Sequence, residues 1–542
     1  MTLSKNDDIE LRIDGFTSEG SGVGHYDGMA VFVPGGAKGD TVLCHIIKAK
    51  KNYAIGKLLE IRVPSPDRIA PDCRVFPRCG GCAYRHIAYE AETALKTQRV
   101  VDCFARLGHI EIFPEPIVGG VRERYRNKAQ YPVRTERGEV KIGFYSEKSH
   151  RVTDCKDCLL QPAEFAGILR IFRAFLAEHR ISVYDETAGT GLVRHICLRK
   201  AFVTGEIMAV IVVNGKSLPA SGALVSRLTE AFPQIESVFL NVNTADTNVV
   251  LGEKYVLLSG REYIEDVLCG VRVRLGPASF YQVNHDNAEK LYALAAEYLA
   301  PTGEETVIDL YCGAGTIGLS MADKIKSLIG VEIVPEAIEN ARKNAEINGI
   351  ENAEFLCADA EEAAAELLSR GVRPDAVIVD PPRKGCGATL PATIDKMDPK
   401  KIIYISCDPA TLARDCAVFA SLGWRVDRAR PVDMFPATSH VETVVSLVRK
   451  TPDMYVDFKI DLDDQDLTAS EAHPTYEEIK TYIQREYGVK VSSLYISQVK
   501  RKLGLEVGES FNKPKSENAK QPQCPPDKEK IITAALVHYK II

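Results

Sequence analysis

The sequence predicts a multi-domain α/β chain. Residues 1–62 read as an OB-like β-barrel, 63–275 as a central α+β domain with a four-cysteine loop, 276–450 as a doubly wound sheet, and 451–542 as an acidic linker with a small helical extension. Three observations lead there. Strand-like and helix-like segments alternate from 306 to 448, the pattern of a parallel sheet with crossover helices. Short strands punctuated by glycine crowd the stretch from 9 to 62, as in small barrels. A chain of 542 residues exceeds what one core holds.

The composition, 45% hydrophobic and 26% charged, is that of an ordinary globular protein. No apolar run approaches the roughly 20 residues of a membrane span, so no membrane association is expected. Met1–Glu10 is polar with no apolar stretch behind it, so no signal peptide is expected and the cytoplasm is the expected location. There, fifteen cysteines argue for metal or catalytic thiols rather than disulfides. A net charge of −6 does not mark a nucleic-acid binder, although a local basic face suffices for one.

In the barrel, Ile9–Ile13 alternates, Gly20, Gly22, Gly24 and Gly28 surround a hairpin, and Met29–Gly35, Thr41–Lys48 and Tyr53–Ile61 supply further strands. Lys48, Lys50, Lys51 and Lys57 around Tyr53 suit a phosphate-and-stacking surface; the plain alternative is a solvated hairpin. Next come Cys73, Cys79 and Cys82 in a glycine-rich loop, with Cys155 and Cys158 downstream. That is a tetrathiolate site completed by one distant cysteine, and the spacing accepts zinc or a [4Fe–4S] cluster. Glu90–Gly108 has helical periodicity, and a helix over about 90–112 is placed to pack on the catalytic domain. Arg122–Arg134 concentrates cations around Tyr125 and Tyr131, a pattern suited to phosphates and stacked bases. Residues 140–270 read as α+β, with a helix from about Leu218 to Ala231.

Strands are expected at 306–311, 328–333, 354–357, 376–380, 402–406, 425–432 and 442–448. Gly313, Gly315 and Gly318 follow the first, where glycines let a ligand approach a helix N-terminus. Glu332 ends the second, where a carboxylate grips a ribose diol. The spacing fits an NAD-dependent oxidoreductase, and equally a site for S-adenosylmethionine (SAM). Asp380-Pro381-Pro382 at the fourth strand tip favours a methyltransferase. Cys407 ends the fifth strand, where a cysteine is either small apolar filler or a nucleophile.

Asp309–Gly315, Asp380–Arg383, Ser406–Asp415 and His440–Val444 occur in that order and, with Tyr125–Lys128 and Phe280–Asn284, resemble the RNA uracil-5-methyltransferases over about residues 1–450. The barrel (a TRAM domain in that family) and the cysteine set resemble the branch that methylates uridine in 23S ribosomal RNA and carries a [4Fe–4S] cluster. The resemblance implies SAM contacts at Gln282, Tyr311, Gly313, Gly315, Thr316, Glu332, Asp359 and Asp380, cluster ligands Cys73, Cys79, Cys82 and Cys158, nucleophile Cys407 and base Glu442. Asp408 stands where many members have asparagine, and Thr316 also departs from the pattern. Cys312 and Cys416 read as packing. A tRNA uracil-5-methyltransferase is the nearest alternative, and a monomer is expected. Beyond the resemblance lie an acidic linker from Asp457 to Glu478, helices over Tyr476–Tyr487 and Ser492–Leu503 with a stop at Gly504, a disordered stretch from Asn512 to Lys530, and a last helix over Asp527–His538.

Overall fold

Alternating burial along β1 (Asp8–Phe16) turns one face of a short meander inward. With β2 (Gly22–Tyr26), β3 (Met29–Val33), β4 (Thr41–Ala49) and β5 (Tyr53–Val63) it forms a closed barrel in the order β1-β2-β3-β5-β4. Gly24 is required where β1 and β2 meet, because a Cβ there would lie 2.3 Å from the Arg12 carbonyl. Burial alone would raise the Asp40 carboxyl, but Arg68 and the N–H groups of Ser65 and Ala37 hold it below its ordinary value and tie the barrel to the chain that follows. The computed structural model describes residues 3–147, 149–450, 476–503, 505 and 523–539.

Helix α1 (Tyr89–Cys103) continues through one π turn to Gly108. The central sheet comprises β6 (Lys128–Glu136), β7 (Glu139–Tyr145), β8 (Val152–Asp154), β9 (Val193–Lys200), β10 (Ile207–Val213), β11 (Ile235–Val242) and β12 (Lys254–Gly260), ordered β12-β11-β10-β9-β6-β7-β8. Two middle strands are buried on both faces: β10 reads as a continuous apolar run, while β9 also buries Arg194, His195 and Arg199. One face packs on Phe165, Phe172 and Phe175 of α2 (Ala163–Glu178) and on Leu224 and Leu228 of α3 (Ser221–Ala231). Met208, Val210 and Phe239 on the other face share a core with the hairpin β13 (Ile264–Leu268)–β14 (Val271–Leu275) and α4 (His285–Leu299).

The last sheet contains β15 (Thr306–Leu310), β16 (Ser327–Glu332), β17 (Ala353–Cys357), β18 (Ala376–Val379), β19 (Lys401–Ser406), β20 (Trp424–Val432) and β21 (Glu442–Arg449), ordered β17-β16-β15-β18-β19-β21-β20. Helices α5 (Thr316–Leu319), α6 (Pro335–Ile347), α7 (Ala360–Ser369), α8 (Leu390–Met397) and α9 (Pro409–Ser421) connect the strands. The five strands β15 to β19 run parallel. Only a loop joins β20 to β21, so this pair is antiparallel, and β21 inserts beside β19. The strand order reverses between β15 and β18, where a crevice opens at the strand tips. On the outer face, Val100 and Phe104 from the α1 region pack with Leu412, Cys416 and Phe419 of α9.

Residues 453–542 form a separate unit. Ile479 and Ile483 of α10 (Tyr476–Tyr487), Ile496 and Val499 of α11 (Ser493–Lys502), and Ile532 and Leu536 of α12 (Pro526–His538) make its core. The expected disorder over Asn512–Lys530 is corrected at its end: Pro526–Lys530 opens α12, with proline at the first helical position. Residues 457–475 of the acidic linker, Gly504 and residues 512–522 lie outside the described residues. Among the described residues, no helix is long and apolar enough to cross a membrane.

The single tryptophan, Trp424, is fully buried, and its Nε1–H donates to Asp395 Oδ1 (3.0 Å), which also accepts from Arg449 Nη1 (2.5 Å). Its fluorescence therefore reports on this sheet alone. Asp395→Ala is expected to lower the stability read by Trp424 fluorescence in urea by about 1–3 kcal/mol.

Candidate active site

Five parallel strands point their C-terminal ends into one cleft of about 2350 Å³, walled by Gln282, Tyr311, Gly313, Thr316, Glu332, Asp359, Asp380, Cys407 and Glu442. Cys407 sits at the turn from β19 into α9. Asp408 N–H donates to Ser406 Oγ (3.1 Å), and the Asp408 carboxylate caps the helix by accepting from Ala410 and Thr411 N–H (2.8 and 3.2 Å). The turn is therefore fixed by its own side chains and leaves the thiol half-buried on the cleft wall. The departure at Asp408 is accommodated, since a carboxylate caps as asparagine does. Glu442 opens β21 opposite Val432 and is buried.

Loss of water pushes the Cys407 thiol up to about 11, and the carboxylates of Glu442 and Asp380 add to this; Arg383, which hydrogen-bonds the sulfur, opposes them. Burial pushes Glu442 up to about 8, assisted by Asp380 and opposed by Arg383. Asp380, half-buried at the tip of β18, is raised to about 7 by the same loss of water. Near neutral pH the Cys407 thiol and most of Glu442 therefore keep their protons while Asp380 is divided between its two forms, and the thiolate forms only when something in the cleft stabilises it.

The glycine loop has a divided role. Only Gly313 faces the cleft; its N–H donates to Glu332 Oε2 (3.2 Å), while Glu332 Oε1 accepts from Val334 N–H (3.0 Å). Gly315, at φ +78°, packs on Phe355, Ala341 and Leu319, and a Cβ on Gly318 would meet Leu328 at 2.7 Å. These two glycines serve helix–sheet packing, so the dinucleotide-like spacing has a steric cause. The Thr316 hydroxyl lines the cleft but is hydrogen-bonded to Tyr292 (3.0 Å). Asp359 caps α7 through Glu361 N–H (2.9 Å), and Asn127 Nδ2 donates to the Gln282 carbonyl (2.8 Å). Cys312 and Cys416 are buried in apolar clusters.

The cysteines Cys73, Cys79, Cys82, Cys155 and Cys158 open on the same cleft, close enough that Cys79 feels the charges of Cys158 and Cys73. Burial raises Cys79 to about 11 and Cys82 to about 12, with Arg85 opposing the rise at Cys82. Cys155 donates a hydrogen bond to Cys158, which with the N–H groups of Leu160 and Gln161 holds Cys158 below the usual thiol range. Among the described residues no three His, Cys, Asp or Glu side chains converge tightly enough to hold a metal ion as they stand. The donor set is nevertheless five soft thiols beside the buried Arg85 guanidinium, a chemistry that suits a thiolate-bound group.

The cationic segment differs from its sequence reading. Arg124 forks onto Asp157 (2.7 and 2.8 Å) and bonds the carbonyls of Cys158 and Gln161; Arg122 bonds Glu92, and Arg134 bonds Glu186. Tyr125 and Tyr131 are buried. The segment is mostly internal wiring, and Arg126 alone of it lines the cleft. On the barrel, Lys48, Lys50, Lys51 and Lys57 are exposed, with Tyr53 half-buried against Phe32 (5.4 Å). Reading the sequence missed two features of the site. Arg383 was visible in the Asp-Pro-Pro-Arg string but carried no role. Asp415 anchors the following loop by accepting from Cys386 N–H (2.8 Å) and Tyr404 Oη (2.7 Å), a pairing with no short-range signal.

A glycine loop with a ribose-type carboxylate, an acidic Pro-Pro tip and a seven-stranded sheet with one antiparallel strand define the class of SAM-dependent methyltransferases. Residues 252–450 match the tRNA (uracil-5-)-methyltransferase family and residues 5–59 the TRAM domain. An uncharacterized RNA methyltransferase of Clostridium tetani is 43% identical over 444 residues, covering 82% of this chain and 96% of that protein. One from Halalkalibacterium halodurans is 42% identical over 450 residues, covering 83% and 98%. Among solved structures, the Pyrococcus abyssi tRNA (uracil-54, C5)-methyltransferase bound to S-adenosyl-L-homocysteine matches with a TM-score of 0.68 at 27% identity, covering 81% of this chain and 99% of that one. The chain belongs to the RNA uracil-5-methyltransferase family and carries an N-terminal TRAM domain; it is a SAM-dependent RNA uracil-5-methyltransferase. The oxidoreductase reading of the glycine loop is thereby set aside.

A thiol raised to about 11 is only about one part in a thousand thiolate at pH 8. Iodoacetamide labelling of Cys407 in the free protein, followed by peptide mass spectrometry, is expected to rise about tenfold per pH unit from 7 to 10. Arg383→Met is expected to slow it about threefold to tenfold at pH 8.

Proposed function

We propose that the protein methylates C5 of uridine in 23S ribosomal RNA through a covalent bond between Cys407 and uracil C6. The observation that supports this reading is that Cys407 and Glu442 line the same cleft as the Gly313–Glu332 pair, close enough to each other that the Glu442 charge bears on the thiol. The Cys407 thiol gives up its proton to solvent as Arg383 stabilises the thiolate, which adds to C6 while the C5=C6 electrons move toward O4 as an enolate. SAM, when bound, would supply an electrophilic methyl group: C5 takes it up, and the electrons of the broken S–CH3 bond stay on sulfur, leaving S-adenosyl-L-homocysteine. Glu442 then accepts the C5 proton; the freed electron pair restores C5=C6 and expels the Cys407 sulfur. Gly313, Glu332, Tyr311, Thr316 and Asp359 line the part of the cleft that would hold SAM, and Gln282 and Asp380 the part between SAM and the base. Arg383 stabilises the developing thiolate. Its charge also draws the Glu442 carboxyl down from where burial alone would put it.

The target base leaves its stack to enter such a cleft, at a cost of a few kcal/mol. Exposed lysines around Tyr53 on the barrel, with Arg126 at the cleft mouth, support contacts to flanking RNA that offset this. Cys73, Cys79, Cys82 and Cys158 are proposed to hold a [4Fe–4S] cluster in a structural role. The cysteine set beside the barrel supports 23S ribosomal RNA as the target. The likeness to an archaeal tRNA (uracil-54, C5)-methyltransferase favours tRNA as the second reading.

Mapping 5-methyluridine by mass spectrometry in ribosomal RNA and tRNA from a deletion strain separates the two: loss from 23S RNA is expected, and loss from tRNA alone would reverse the assignment. An RNA bearing 5-fluorouridine is expected to form a denaturation-resistant adduct that requires SAM and is abolished by Cys407→Ala. Glu442→Gln is expected to lower turnover about 10²–10⁴-fold while methylated adduct accumulates. Because Glu442 is raised to about 8, its proton-accepting form is the minority below that pH. Single-turnover rates are therefore expected to rise with pH between 6.5 and 8 and to level off above; a flat profile would remove Glu442 from the rate-limiting step.

A further inference from the structure

The loop between β20 and β21, residues 433–441, leads directly into Glu442 and gives Phe435, Thr438, Ser439 and His440 to the cleft wall. Its main chain is gripped by residues from the first third of the chain. Lys96 Nζ donates to Phe435 O (3.2 Å), Tyr125 Oη to Pro436 O (2.9 Å) and Arg99 Nη1 to Ser439 O (2.8 Å). The N–H groups of Ala83 and Tyr84, which follow Cys82 directly, both donate to Ala437 O (2.9 Å each). Ala437 N–H donates to Glu92 Oε1 (2.7 Å). Ala437 stands at φ 68°, a left-handed conformation that an alanine keeps only when its surroundings hold it there. At the loop's start, the Asp433 carboxylate accepts from Lys96 Nζ (2.6 Å) and Tyr89 Oη (2.9 Å).

Glu92, Lys96 and Asp433 are at most 1% exposed. Lys96 lies between the two carboxylates, and Arg122 adds a second cation 3.2 Å from Glu92. In such dry surroundings the charges are tolerated only as a set, because removing one member leaves the others uncompensated. The set therefore has one arrangement, and through it the loop has one arrangement.

We propose that Tyr89, Glu92 and Lys96 of α1, together with the Ala83–Tyr84 amides of the cysteine loop, are positioning residues that latch the 433–441 loop and thereby aim Glu442 at uracil C5. This rests on the proposed role of Glu442 as base. The latch also gives the cysteine loop a mechanical task. Whatever orders Cys82 and Cys158, which pack against Ala437 and Tyr125, also orders the wall beside the base.

The test uses the full chain with Lys96→Met and the milder Tyr89→Phe, which keeps the ring and removes one hydroxyl. Both are expected to lower kcat, Lys96→Met on the order of tenfold to a hundredfold, with the KM values for SAM and RNA within about twofold of the parent. Methylated covalent adduct is expected to accumulate, and amide hydrogen exchange over residues 434–440 to speed up. A fall in kcat that only follows a loss of folded protein or a matching rise in KM, or unchanged exchange in both variants, would overturn the latch. If Glu442→Gln accumulates adduct while neither latch variant does, the latch fails and the base assignment stands. If Glu442→Gln accumulates none, the base assignment itself fails.

Discussion

The exclusion of water from the strand tips governs this molecule's chemistry. A thiol and two carboxyl groups share one cleft, and each is raised by the loss of solvent before any neighbour acts on it. A site built this way keeps its thiol protonated while empty, so it exposes little thiolate to adventitious electrophiles. It also depends on what enters, since a bound cation or a polarisable ring can supply the stabilisation that water does not. Arg383 acts on both Cys407 and Glu442, so the loop carrying it must be held. The Asp415 carboxylate does so by taking Cys386 N–H and Tyr404 Oη from two sides, with Arg414 closing the remaining oxygen.

Keeping water out requires walls, and the walls come from distant parts of the chain. The floor is the parallel sheet, whose crossovers are local. The side wall beside Glu442 is the 433–441 loop, a connection outside the sheet ladder that is held by side chains of α1. It is stiffened by residues more than three hundred positions earlier, through bonds such as Lys96 to Asp433. A buried ion pair contributes little net stability compared with an apolar pair of the same shape. Its value here is geometric, because carboxylate, ammonium and carbonyl meet in only one register.

These facts explain what was legible in the sequence. The strand positions from 306 to 448 were legible chiefly because β15, β18, β19 and β21 are buried runs rich in β-branched residues. Cys407 read as a strand-end residue because Asp408-Pro409 marks a helix start in any context, and the structure uses that aspartate as the cap. The crossing of β21 between β19 and β20 was not legible, since sheet order depends on pairing across the fold. The cations of 122–134 misled for a related reason. Composition advertises charge but not its partner, and Asp157, Glu92 and Glu186 lie far enough away in sequence to be invisible as partners.

The glycines of the 313–318 loop make the same point at the scale of one motif. Their spacing fits two cofactors because it answers a demand that precedes the cofactor: a strand must turn into a helix that packs tightly on Phe355 and Leu328. Only Gly313 stands at the cleft. The discrimination between a dinucleotide and a sulfonium donor therefore cannot lie in the glycines. It lies across the crevice, where Asp380, Arg383, Cys407 and Glu442 stand on three separate strand ends and a loop. No single stretch of sequence contains that group, and the fold brings its members together because strand order reverses between β15 and β18. Chemistry placed at such a reversal is written in several short strings, each ambiguous alone, and becomes specific through the sheet that aligns them.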